Sequence, residues 1–79
     1  MMIDQLRETW GHNLRRARMA RHLSLAQVSA LTRVDPGQLS RVENGEAGLG
    51  DEYRLAVAAA LGVRVEDIWS YPEPEQVTP

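Results

Sequence analysis

Gln38 and Arg41 stand three residues apart in the tract Asp35-Pro36-Gly37-Gln38-Leu39-Ser40-Arg41. A helix through that tract would carry an amide and a guanidinium on one face. A planar amide pairs a donor with an acceptor, the pattern that adenine's major-groove edge answers; a guanidinium fork supplies two parallel donors, which suit guanine. Gly37, next to them, lets backbone approach a surface closely. Ser24, Gln27, Arg33, Ser40 and Asn44 add short or cationic hydrogen-bonding groups of the kind that meet phosphate, with Arg15 further upstream.

Catalytic chemistry has far less to work with. The chain has no cysteine, so thiolate metal sites, thiol nucleophiles and disulfides are excluded. His12 and His22 share no metal-ligand spacing with each other or with paired acids and read as surface residues. Asp51-Glu52 and Glu66-Asp67 fall where helices should begin, so the helix dipole accounts for them. No strand precedes a glycine-rich loop, and no phosphate-binding loop of that kind is expected. The reading is of a protein without enzymatic activity or cofactor.

The net charge of −2 conceals a polarised chain. Between His12 and Val42 six arginines face one acid, Asp35; from Glu43 onward two arginines face eight acids. One half can be drawn to phosphates while the other turns to solvent. The N-terminus lacks the pattern of a secretory leader and no apolar run is long enough to span a bilayer, so a cytoplasmic, nucleoid-associated location is expected.

Positioning these residues falls to helices. Period-2 alternation is absent, and 79 residues allow one domain. Asp4 reads as the cap of a first helix, with Leu6, Trp10, Leu14, Ala17 and the stem of Arg21 on one face and an end near His22. Gly11 inside that helix either allows another helix to come close or marks where the helix really begins. Ser24 caps a second helix, Leu25 to about Thr32, in which Leu25, Val28 and either Leu31 or Thr32 turn inward. Arg33-Val34 forms the turn. Asp35-Pro36 caps and starts a third helix, which Asn44-Gly45 ends. A fourth helix runs from Gly50 or Asp51 to Leu61, stopped by Gly62, and a short fifth lies within Val63–Trp69, its Ile68 and Trp69 closing the core. Two helices joined by so short a turn make a helix-turn-helix over about residues 24–44. The domain is assigned to residues 1–70, and residues 71–79, rich in proline and acid, to a flexible tail.

The tracts Asn13-Leu14-Arg15-Arg16-Ala17-Arg18, Leu23-Ser24-Leu25, Leu39-Ser40-Arg41-Val42-Glu43-Asn44-Gly45 and Ala58-Ala59-Ala60-Leu61-Gly62-Val63 together resemble the Cro/C1-type (XRE) helix-turn-helix family. The resemblance spans about residues 4–70. It implies an all-α, compact five-helix bundle of the lambda-repressor-like kind, whose third helix enters the major groove of double-stranded DNA while a homodimer reads two half-sites. It also implies an ion pair between Arg18 and Glu43 that serves structure. Four residues depart from the pattern. Pro36 and Gly37 stand where base-reading side chains are common. Leu25 stands where many relatives carry a phosphate-binding glutamine (a leucine variant also resembles part of the family), and Arg33 replaces the usual turn glycine, which calls for another turn geometry or αL strain.

Together these readings describe a sequence-specific transcriptional regulator, a repressor on a palindromic operator. Gly37, Gln38 and Arg41 are assigned to bases. Ser24, Gln27, Arg33, Ser40, Asn44 and Arg15 are assigned to the DNA backbone, helped by free N–H groups at the starts of the second and third helices. Ile68, Trp69 and Tyr71 are assigned to the dimer interface for their apolar and aromatic character, and Trp10 and Trp69 to core or dimer contacts. A partner protein such as a toxin is compatible with a chain this small. The rival from another class is a protein-interaction module, such as an antitoxin or co-regulator, that keeps the fold with weak or no DNA binding; a nonspecific architectural DNA binder is a third reading.

Overall fold

The computed structural model describes residues 2–71, and side chains from Asp4 onward. Among these residues the chain forms five helices and no strand: α1 (Met2–Ala20), α2 (Leu25–Thr32), α3 (Pro36–Glu43), α4 (Asp51–Leu61) and α5 (Val65–Ile68). The expected tail, apart from Tyr71, lies outside the described residues.

Helix α1 begins earlier than Asp4, which therefore sits in its first turn rather than capping it. There its charge suits the helix dipole. Leu6, Trp10, Leu14 and Ala17 follow at three- and four-residue steps and form the inward stripe, with Trp10 and Leu14 buried. The helix ends just before Arg21. His22 takes a left-handed backbone (φ 56°), and Leu23 N–H reaches back to Arg18 O at 3.2 Å. Arg21 does not lie on the core stripe; its Nε donates to Leu61 O at 2.9 Å, satisfying a carbonyl at the end of α4.

Ser24 and Gln27 close a reciprocal capping box on α2: Gln27 N–H donates to Ser24 Oγ at 3.0 Å and Ser24 N–H to Gln27 Oε1 at 2.7 Å. Of the two inward candidates, Thr32 is the buried one and Leu31 stays exposed. A threonine is tolerated there because its hydroxyl donates to Val28 O at 2.8 Å and accepts from Val34 N–H at 3.2 Å. Asp35 caps α3, its Oδ2 accepting from the N–H groups of Gly37 (2.9 Å) and Gln38 (3.2 Å), and Pro36 occupies the first helical turn. Leu39 and Val42 point inward.

The α3–α4 connection contributes a core residue of its own, Leu49. Arg54 on α4 donates to Leu49 O at 2.7 Å and lays its guanidinium over Trp10 and Trp69, 4.9 and 5.5 Å from the ring centroids. Helix α5 starts where Asp67 accepts from Arg64 N–H at 2.9 Å, a hydrogen bond that holds the Asp67 carboxyl below its ordinary range. That contribution is complete above about pH 4 and fades as the pH falls through the lowered folded-state value. Past α5, Trp10 Nε1 donates to Ser70 O at 2.6 Å and Asn13 Nδ2 to Ile68 O at 2.9 Å, tying the segment to α1.

Helix α1 packs on α3 and α5, α2 on α3 and α4, and α4 on α5, around one core from Trp10 and Leu14 to Ile68 and Trp69. Gly11 sits where α1 closely approaches the end of α3. A Cβ there would fall 2.6 Å from Val42 O and closer still to Glu43 O, backbone atoms at the end of α3. Alanine normally gains ~1 kcal/mol over glycine in a helix. Here overpacking of ~1–3 kcal/mol or more opposes that gain. Gly11→Ala is therefore expected to lower Tm, by about 4–8 °C per kcal/mol of net loss. Thermal unfolding followed by circular dichroism checks this, and a raised Tm would contradict the close contact.

Candidate nucleic-acid interface

With Leu39 and Val42 fixed in the core, the outward side of α3 falls to Gly37, Gln38 and Arg41. Arg41 is exposed and Gln38 half-buried. The two are joined: Arg41 Nη2 donates to Gln38 Oε1 at 3.3 Å. Gln38 also lines a shallow groove with Arg33, Val34, Asp35, Leu49 and Tyr53. The groove thus gathers the turn, the start of α3, the α3–α4 connection and the first turn of α4.

Arg33 resolves the question raised by its place in the turn. It adopts the left-handed conformation (φ 64°), and its N–H donates to Ser29 O at 2.7 Å, closing α2 as a glycine would. A non-glycine residue there costs about 1 kcal/mol or more, and in return the turn gains a cation beside α3.

Other expected contacts are distributed differently. Ser24 and Gln27 are exposed at the start of α2, yet each is engaged by the other in the capping box. The α3 N-terminal N–H groups of Gly37 and Gln38 are taken by Asp35. The expectation that the free N–H groups of these two helix starts would receive an anion is thereby corrected at those positions, because the residues that cap a helix occupy the donors they cap. Ser40 is half-buried and Asn44 exposed further along α3. Arg15 belongs to a separate shallow concavity on α1 with His12, Arg16 and Met19.

Arg18 and Glu43 form a two-pronged ion pair, Nε to Oε2 at 2.6 Å and Nη2 to Oε1 at 2.9 Å, with side-chain exposures of 15% and 6%. Arg18 Nη1 also donates to Leu23 O at 2.8 Å. The hydrogen bond to Glu43 raises the guanidinium above its ordinary value against the opposing effect of burial. The pair thus ties the end of α1 to the approach to α2 and the last turn of α3, and Glu43 is held away from the outward face.

The dimer assignment needs correction. Ile68 and Trp69 are buried in the chain's own core, at 0% and 3% exposure, so they have no surface to offer a partner. Their apolar character is explained by closing the monomer. Tyr71 remains exposed over most of its surface while packing edge-on against Trp10, with ring centroids 5.3 Å apart. Sequence reasoning missed Leu49 and Tyr53. Tyr53 carried a signal, an aromatic residue in the first turn of a helix that follows a glycine loop, whereas Leu49 inside that loop carried little.

Among the described residues, no three His, Cys, Asp or Glu side chains come together to hold a metal ion, and no helix is long and apolar enough to cross a membrane.

Five helices with a capped, core-locked third helix presenting a polar outward face define a helix-turn-helix domain. The helix-turn-helix family profile matches residues 14–68, and the chain belongs to this Cro/C1-type family of DNA-binding transcriptional regulators. Two crystal structures of the clp gene regulator ClgR from Corynebacterium glutamicum are similar to it. One shares 36% identity at a TM-score of 0.76, covering 80% of this chain and 67% of its own. The other shares 36% identity at a TM-score of 0.73, covering 80% and 82%. No curated protein sequence matches the chain.

Breaking a buried ion pair from one side costs ~3–5 kcal/mol, and the residual exposure of Arg18 places this pair near the lower end. Arg18→Ala should therefore cost about 3 kcal/mol in urea unfolding. A loss below about 1 kcal/mol, typical of an exposed pair, would contradict the clasp.

Proposed function

We propose that this protein is a repressor that binds a palindromic operator as a homodimer, laying α3 in the major groove of each half-site. The observation that carries the reading is the outward face of α3, where Gln38 joins Arg41 and shares a groove with Arg33 of the preceding turn, on a helix whose inner face is locked by Leu39 and Val42. Arg41 supplies the main base contact and is matched to guanine. Arg33 is matched to phosphate, as are Asn44 and Ser40; Ser24 and Gln27 assist through the polar atoms that the capping box leaves free. Arg15, on its separate concavity, contributes to the basic field rather than to the α3 face. The similarity to a gene regulator supports action on transcription. A two-fold operator is the natural counterpart of a small domain with one recognition helix, because two copies double the base pairs read.

Selection of bound sites from a random DNA pool, followed by gel shifts across a salt series, tests the proposal. A symmetric preferred site is expected, with log affinity falling linearly as log salt rises. Arg41→Ala should cost about 1–3 kcal/mol at one base pair of each half-site and relax the preference there. Arg33→Ala should weaken all sequences alike and reduce the salt slope by about 1 per DNA-bound copy. Salt-dependent binding without a preferred sequence would favour an architectural role; no binding at low salt would favour a protein-interaction module.

A further inference from the structure

We infer that Gln38 is a positioning residue for Arg41 rather than an independent reader of adenine. This rests on the proposed reading of α3 as the base-contacting helix. To read adenine, a glutamine must aim its amide oxygen at the exocyclic amine and its NH2 at N7. The Gln38 oxygen instead accepts a hydrogen bond from Arg41 Nη2 at 3.3 Å. Gln38 is half-buried and lines the groove with Val34, Leu49 and Tyr53, while Arg41 is exposed and has only this side-chain hydrogen bond among the described residues. The geometry is that of a half-buried support holding an exposed fork.

The chemistry of the fork is preserved by this arrangement. A guanidinium has five N–H donors, and one Nη2 proton on Gln38 leaves its second proton and both of Nη1 for a base edge. Fixing the plane beforehand lowers the conformational entropy that Arg41 must lose on binding. Gln38 therefore acts on the same base pair as Arg41, although its own amide makes no bidentate contact.

The test uses wild-type protein, Gln38→Met, Arg41→Ala and the double variant. Methionine keeps the length and apolar stem of glutamine but removes its oxygen. With the site selected from a random pool, affinities are measured for all single base-pair variants of one half-site. Gln38→Met should relax preference at the pair that Arg41→Ala relaxes, by a smaller factor within the roughly five- to hundred-fold range of one bidentate contact. Added to Arg41→Ala it should change little. Relaxation at a different base pair, additive with Arg41→Ala, would overturn the inference and leave the DNA-binding reading intact. Nitrogen-15 relaxation of arginine side chains in the DNA-free protein gives a second readout. Arg41 Nε should become more mobile in Gln38→Met while Arg18 Nε stays ordered, and unchanged Arg41 order would overturn the inference even if no preferred site existed.

Discussion

Contact between α1 and α3 is the constraint on which the rest of the molecule depends. Gly11 allows the end of α3 to approach the α1 backbone so closely that the Val42 and Glu43 carbonyls occupy the place of a side chain. About two turns on, at Arg18, the same helix reaches the Glu43 carboxylate. A missing side chain and a charged one thus act together, one setting the distance and the other the register. Because Arg18 also binds Leu23 O, the clasp fixes where α2 begins as well as where α3 ends. The exposed face of α3 follows from this: once Val42 and Glu43 are committed to α1, and Leu39 to the core, Gln38 and Arg41 face outward.

The rest of the core secures the clasp from behind. Arg54 lies over Trp10 and Trp69 while binding Leu49 O, so one cation holds the α3–α4 connection against the rings that close the bundle. Trp10 and Asn13 bind carbonyls at Ser70 and Ile68, which anchors α5 to α1. In a domain of this size such polar ties matter, because a single small core is marginal by itself. They also separate the charges: the arginines of the clasp and core are paired or stacked, whereas Arg33 and Arg41 remain beside the outward face of α3.

What the sequence revealed was mostly local. Asp35-Pro36, Asn44-Gly45, Ser24 and Gly62 mark helix ends because capping depends on neighbours a few residues apart. The inward stripe of α1 was legible for the same reason. Asp4 misled because a good capping residue also serves well in a first turn. Ile68 and Trp69 read both as the closing wall of the core and as a dimer surface, because apolar character does not distinguish the two; their burial supports the first. Leu49 and the Arg54 stack depend on contacts between distant segments, and no spacing announces them. The spacing of Gln38 and Arg41 put them on one face, but whether they act side by side or through each other depends on rotamers. The occupied N–H groups of α2 and α3 were within reach of sequence reasoning, since the same residues had been assigned as caps.

Native-state hydrogen exchange in Glu43→Gln tests most directly whether α1 holds α3 in place. The amides of α3 and of the turn before it should lose more protection than the Val57–Leu61 stretch of α4, which puts Val57, Ala58 and Leu61 in the core, as expected when one packed unit is released from the rest. Equal loss across α3 and α4, or unchanged protection in α3, would contradict the account.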